Sequence, residues 1–97
     1  MYWPRCLTYG KWGGPSWSGG KFTNDPSQVD WDVAPIDGMD QLFKEHDWDC
    51  QHNLGRLAHK ILAKKLEEFD PPANWTTWQR LYRLAAIGIF KVLGLGA

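Results

Sequence analysis

His46 and Asp47 stand side by side in the segment from Pro35 to Cys50, PIDGMDQLFKEHDWDC. Neighbours on a helix project about 100° apart, so the pair does not grip one metal from one face as an HExxH motif does. It suits a division of labour. Asp47 can hold a hard cation through carboxylate oxygen, and His46 can take a proton from a water beside that cation. An HD dipeptide alone is weak evidence, because a lone histidine on an apolar helix face is more often a hydrogen-bonded core residue. A second feature strengthens it. The stretch from Tyr9 to Gly20, YGKWGGPSWSGG, is dense in glycine, which lets carbonyls turn inward at backbone angles other residues avoid. Calcium takes about six to eight oxygens, many of them carbonyls. The alternatives for the loop are a flexible connector or a phosphate-binding turn; the latter lacks the GxxxxGK[ST] pattern and a leading strand.

Residues 1–36 are rich in Gly, Pro, Ser, Asn and Asp and are expected to be mostly loop, with short extended pieces near Tyr2–Trp3 and Lys21–Thr23. A helix is expected from Asp37, which caps it, with Asp40 placing negative charge in the first turn. Met39, Leu42, Phe43, His46 and Cys50 recur at three- and four-residue steps and share one face. Asn53 and Gly55 mark a turn. A second helix is expected over about Leu54–Phe69, with a stripe of Leu54, Leu57, Ala58, Ile61, Leu62, Lys65 and Leu66, ended by Pro71-Pro72. Residues 37–69 thus form a core helix pair. An amphipathic C-terminal helix within residues 74–95 follows, from about Trp75 to Leu93 and capped by Asn74. Its inward face draws on Leu81, Leu84, Ala85, Ile87 or Gly88, and Val92. The fold class is mainly α.

The 97 residues make one domain, residues 1–97, with 11 basic and 11 acidic side chains. Zero net charge gives no global pull toward nucleic acid, and no nucleic-acid partner is expected. No signal-peptide pattern is present, and the longest apolar run, Leu84–Phe90, is seven residues, too short to span a bilayer. Seven tryptophans make the chain tryptophan-rich; such rings suit a membrane boundary, a core or a partner interface. Cys6 and Cys50 are read as two separate thiols, with a bridge between them left open. No CxxC or Cys/His spacing suggests zinc.

The loop and helix together resemble phospholipase A2, in which a YGxxCGxGGxG-like loop supplies carbonyls to calcium and a PxDxLDxCCxxHDxCY-like helix supplies the histidine and aspartate. Here the helix reads Pro35, Asp37, Met39, Asp40, Leu42, Phe43, His46, Asp47, Asp49 and Cys50, and the loop Tyr9, Gly10, Trp12, Gly14, Ser16, Ser18 and Gly19. Leu42, Phe43 and Asp49 replace half-cystines, so the chain is similar to the disulfide-poor phospholipase A2 domains of parvovirus capsid proteins. The resemblance covers about residues 9–66. It implies a phospholipase A2-like fold with a calcium loop and an antiparallel helix pair carrying the HD dyad. It implies Ca2+ bound by the carbonyls of Trp12, Gly14 and Ser16 and by the Asp47 carboxylate. His46 would be the base, and calcium with a backbone N–H near Gly14 would stabilise the oxyanion in hydrolysis of the sn-2 ester of a glycerophospholipid.

Three departures bear on that reading. Ser16 stands where the family prefers glycine, and Cys50 where it has a tyrosine orienting the network behind the histidine. The family's helix-borne aspartate that holds the histidine tautomer falls at residues 59 to 60, here His59 and Lys60. Two readings follow. In one, the chain is a phospholipase on a membrane surface, with Trp12 and Trp17 inserting and Arg80, Arg83 and Lys91 attracting headgroups. In the other, it is a weak or inactive relative that binds lipid or protein, for instance within a viral capsid or membrane-associated complex. A contact between His46 and His59 with no carboxylate behind it favours the second.

Overall fold

The computed structural model describes residues 8–14, 17–23 and 25–97. Within these, the chain is mainly helical, with one small hairpin. Strands β1 (Trp17–Ser18) and β2 (Lys21–Phe22) pair antiparallel, Trp17 opposite Phe22. The turn between them places both Gly19 and Gly20 at positive φ, 66° and 77°, which is what a two-residue hairpin turn requires. The extended piece expected at Lys21–Thr23 is therefore β2; that at Tyr2–Trp3 lies outside the described residues. A single 3-10 turn over Pro26–Gln28 follows, and Asp25 accepts from the Ser27 amide to cap it.

Helix α1 (Gly38–Gln51) begins where expected. Asp37 is its cap, its Oδ1 accepting from the Asp40 amide at 2.8 Å. Met39 and Phe43 are buried. The chain reverses through Asn53 and Gly55, both at positive φ, and enters α2 (Arg56–Glu68), which buries Ala58, Leu62, Ala63 and Leu66. Leu54 and Leu57, expected on the same stripe, are 38% and 45% exposed, because the stripe reaches past the end of α1. The two helices run antiparallel. Gly38 lies against the Phe69 ring, where a Cβ would come within 2.8 Å of it, Lys65 pairs with Glu45 at 3.3 Å, and His59 meets His46.

After Pro71-Pro72, Trp75 stacks on Phe69 with centroids 5.3 Å apart. Helix α3 spans Thr77–Leu93. Its cap is Thr76, not the expected Asn74. Thr76 and Gln79 form a capping box, each side chain bonded to the other's amide, and this satisfies two orphan N–H groups where Asn74 would satisfy one. The helix returns antiparallel along α2: Arg83 reaches the carbonyls of Leu66 and Glu67, while Gly94 packs on the Lys60 backbone.

The rotation of α3 differs from the expectation. Ala86 is its buried residue, and Tyr82, Ile87 and Phe90 pack against the core. Leu81, Leu84 and Val92, expected inward, are 57%, 60% and 66% exposed. The helix carries apolar residues on several faces, so periodicity alone leaves its rotation open. The step Tyr82, Ala86, Phe90 resolves it by turning large, small, large to the core: Tyr82 meets the Phe43 ring edge-on at 5.8 Å, and Phe90 meets His46 of α1 and His59 of α2. Among the described residues no helix is long and apolar enough to cross a membrane.

Candidate active site

The loop from Tyr9 to Gly14 closes on itself, Tyr9 and Gly13 exchanging two backbone hydrogen bonds of 2.7 and 2.9 Å. What ties it to α1 is Asp40. Its carboxylate is fully buried. Oδ1 accepts from the Trp12 amide, and Oδ2 from the amides of Lys11 and Ile36, all at 2.9 Å. A charge expected to serve the helix dipole instead holds two chain segments together. Gly10 is required here: a Cβ would sit 2.5 Å from that carboxylate, and its φ is 56°. The Tyr9 hydroxyl donates to Asp37 and accepts from Gln79 of α3 at 3.1 Å. The cap of α1, the loop and α3 are thereby one network.

This arrangement brings the proposed site residues together. His46 and Asp47 lie on successive positions of α1, with His46 Nδ1 3.7 Å from Asp47 Oδ1. Ser18 of β1 donates to Asp47 Oδ2 at 2.9 Å. On the other side of the ring, His46 Nε2 is 2.8 Å from His59 Nδ1 and 3.5 Å from Cys50 Sγ. His59 therefore faces His46 as expected. Its Nδ1 stands one bond beyond Cγ, the same depth as an aspartate oxygen, so a nitrogen occupies the contact where a carboxylate would act. Cys50 is a free thiol. Cys6 and Ser16 lie outside the described residues.

Electrostatics assign the shared proton. Burial disfavours the His46 imidazolium, but the Asp47 and Cys50 groups outweigh it and push His46 up to about 9. Burial pushes Asp47 up, an effect eased by His46 and Ser18. Burial and the charge on His46 push His59 down. So His46 carries the proton and donates from Nε2 to His59. A histidine raised in the folded state stabilises fully below its unfolded value of 6.5, and that contribution is lost as pH rises toward about 9. Unfolding free energy, read from urea titrations, should fall by ~1–3 kcal/mol across that window, and His46→Gln should remove the slope.

Beside the dyad lies a largely apolar cavity of about 810 Å³. Its lining includes Trp12, Gly14, His46 and Asp47, and on the far side Leu81, Ala85, Ile89 and Leu93 of α3. The volume is within the roughly 300–1,000 Å³ of ordinary small-molecule sites. Leu81 and Ile89, both 57% exposed, leave it open to solvent on one side.

The residues expected to touch a membrane are placed differently. Trp12 is 1% exposed: it stacks on Trp31 at 5.2 Å, and its indole N–H donates to Val33 O at 3.1 Å. Trp17 is half-buried, packed on Phe22 and donating to Gly10 O at 3.0 Å. Both rings brace the loop, because a Gly-rich turn has few side chains of its own to pack. The cations are engaged too. Arg83 and Arg80 donate to carbonyls at the end of α2 and just beyond, Leu66, Glu67, Pro72 and Ala73. Lys91 pairs with Glu67 at 3.1 Å. The carbonyls left unpaired at the end of α2 draw Arg83, those of the loop beyond it draw Arg80, and the Glu67 carboxylate draws Lys91. Among the described residues, the exposed tryptophans are Trp48 and Trp78.

The Asp47 carboxylate and the Ser18 hydroxyl place oxygens side by side; Trp12 and Gly14 line the same cavity, and the Gly14 carbonyl accepts from the Trp17 amide at 3.3 Å. Carboxylate and hydroxyl oxygens are ligands of the kind that hard cations take. Gly14, at φ 130°, has a conformation reserved for glycine. Asp40, Ser18 and the α3 wall of the cavity were not legible as site residues beforehand; the offset between Asp37 and Asp40, one capping and the other buried, carried the only local signal. Compared with known proteins, the chain matches no family model, no curated protein and no solved structure.

Proposed function

We propose that this chain is a calcium-dependent phospholipase A2-like hydrolase that cleaves the sn-2 ester of glycerophospholipids at a membrane surface. The observation that carries the reading is the shared lining of the HD dyad, the glycine-rich loop and an apolar cavity large enough for an acyl chain. Asp47, Gly14, Trp12 and Ser16 would hold the cation, which would supply Lewis-acid polarisation of the ester carbonyl. With the Asp47 carboxylate so engaged, His46 loses the partner that holds its proton, and Nδ1 becomes able to take one from water. Nε2 stays fixed by His59, which keeps the ring oriented. Leu81, Ala85, Ile89 and Leu93 would exclude water from the acyl chain.

The test fills the cavity. Ala85 lines it, whereas Leu84 on the same helix does not. Ala85→Trp should lower kcat/KM on a long-chain phospholipid by at least about tenfold, the equivalent of about two buried methylenes, while Leu84→Trp leaves it unchanged. Equal rates for both variants and the parent would remove the cavity from the reading.

The contact between His46 and His59, with no carboxylate behind it, favours a second reading: a domain of this kind that binds lipid or a protein partner without turnover. In that case Ala85→Trp weakens binding to lipid vesicles, and the parent chain releases no fatty acid.

A further inference from the structure

The geometry points to a zinc site formed by His46, Cys50 and His59 across the α1–α2 pair. His46 Nε2, Cys50 Sγ and His59 Nδ1 all lie within 4.8 Å of one another. Two come from one helix face at a four-residue step, the spacing by which a helix presents a pair of ligands to one ion. The third comes from the antiparallel neighbour.

Two of the three separations are close to those a bound ion imposes. With Zn–N of about 2.0–2.1 Å and Zn–S of about 2.3 Å, tetrahedral ligands stand about 3.3 Å apart for two nitrogens and about 3.6 Å for nitrogen and sulfur. The separations here are 2.8 and 3.5 Å. Parting the two imidazoles by about half an ångström and drawing Cys50 Sγ toward His59 Nδ1, which lies within 4.8 Å of it, would complete the set. Phe90 meets the His46 ring edge-on at 4.8 Å and stacks on His59 at 5.6 Å, so both rings are already held on one side. Two imidazoles and a thiolate select a borderline or soft ion over calcium. Three protein ligands leave a fourth position for water, and Cys50 is only half-buried, which gives access.

The site stands independently of hydrolysis. One consequence does rest on the phospholipase reading: zinc on Nε2 leaves the His46 proton on Nδ1, so the ring no longer serves as a base. Zinc would then inhibit, and Cys50→Ser would raise the half-inhibitory concentration by at least about tenfold, the lower end of what losing even a supporting group costs a metal site.

Binding is tested on the full chain, reduced, with Co2+ as a spectroscopic stand-in and Zn2+ as competitor. One equivalent of Co2+ should give tetrahedral d–d bands and a thiolate charge-transfer band, both erased by Zn2+ and untouched by Ca2+. Cys50→Ser should lose the charge-transfer band and His59→Ala should weaken Zn2+ binding at least about tenfold, with circular dichroism confirming helix content, while Cys6→Ser changes neither. Absence of the bands in the folded chain would overturn the site. So would a charge-transfer band that survives Cys50→Ser or vanishes with Cys6→Ser. The measurement uses no lipid and no turnover, so its failure leaves the phospholipase reading standing.

Discussion

Asp40→Ala should destabilise the chain by about 3–5 kcal/mol, the largest effect expected of any single carboxylate here. The carboxylate is fully buried and accepts three backbone N–H groups, from Lys11, Trp12 and Ile36. Truncation leaves those donors without a partner, at about 1–3 kcal/mol for each buried one. Part of that is recovered as the loop swings toward water. Asp40→Asn keeps the shape but turns at least one N–H against an amide NH2, so it should fall between parent and alanine. Urea unfolding gives the free energies, and trypsin cleavage after Lys11 reports the loop directly. A loss under about 1 kcal/mol with Lys11 still protected would mean that another contact holds the loop.

His46→Gln should lower kcat by about 10³-fold with little change in KM, the usual scale for a positioned general base. Glutamine can still donate toward His59 Nδ1 and is no longer than the imidazole it replaces. It cannot accept a proton from water. A variant that loses kcat and KM together would point to a disturbed cavity instead. The pH–stability slope described above should disappear in the same variant, which ties the kinetic effect to the group that titrates.

Much of the scaffold was legible in the residues. The Asp37 cap, the turn at Asn53 and Gly55 and the stop at Pro71-Pro72 placed the α1–α2 pair to within two residues at each end, because caps and breakers act locally. Antiparallel pairing then put His59 opposite His46. What was not legible depended on packing at long range. Trp12 looks like a ring for a membrane, yet a glycine-rich loop has little else to bury, so the ring turned inward against Trp31. Arg80, Arg83 and Lys91 look like free charge, and the end of α2 and the loop after it claimed them. The apolar surround of α3 left its rotation undetermined until Tyr82, Ala86 and Phe90 met the core. The four-residue step from His46 to Cys50 was read as a shared helix face and not as a ligand spacing, because a third ligand thirteen residues from His46 acquires meaning only when the helices pair.

Release of fatty acid from mixed micelles, with calcium and with chelator, tests the central claim most directly. The account predicts release by the parent chain that chelator abolishes, and for His46→Gln a rate at least about 10²-fold lower under the same conditions. Release that persists in chelator, or that is equal in His46→Gln and the parent, would contradict it.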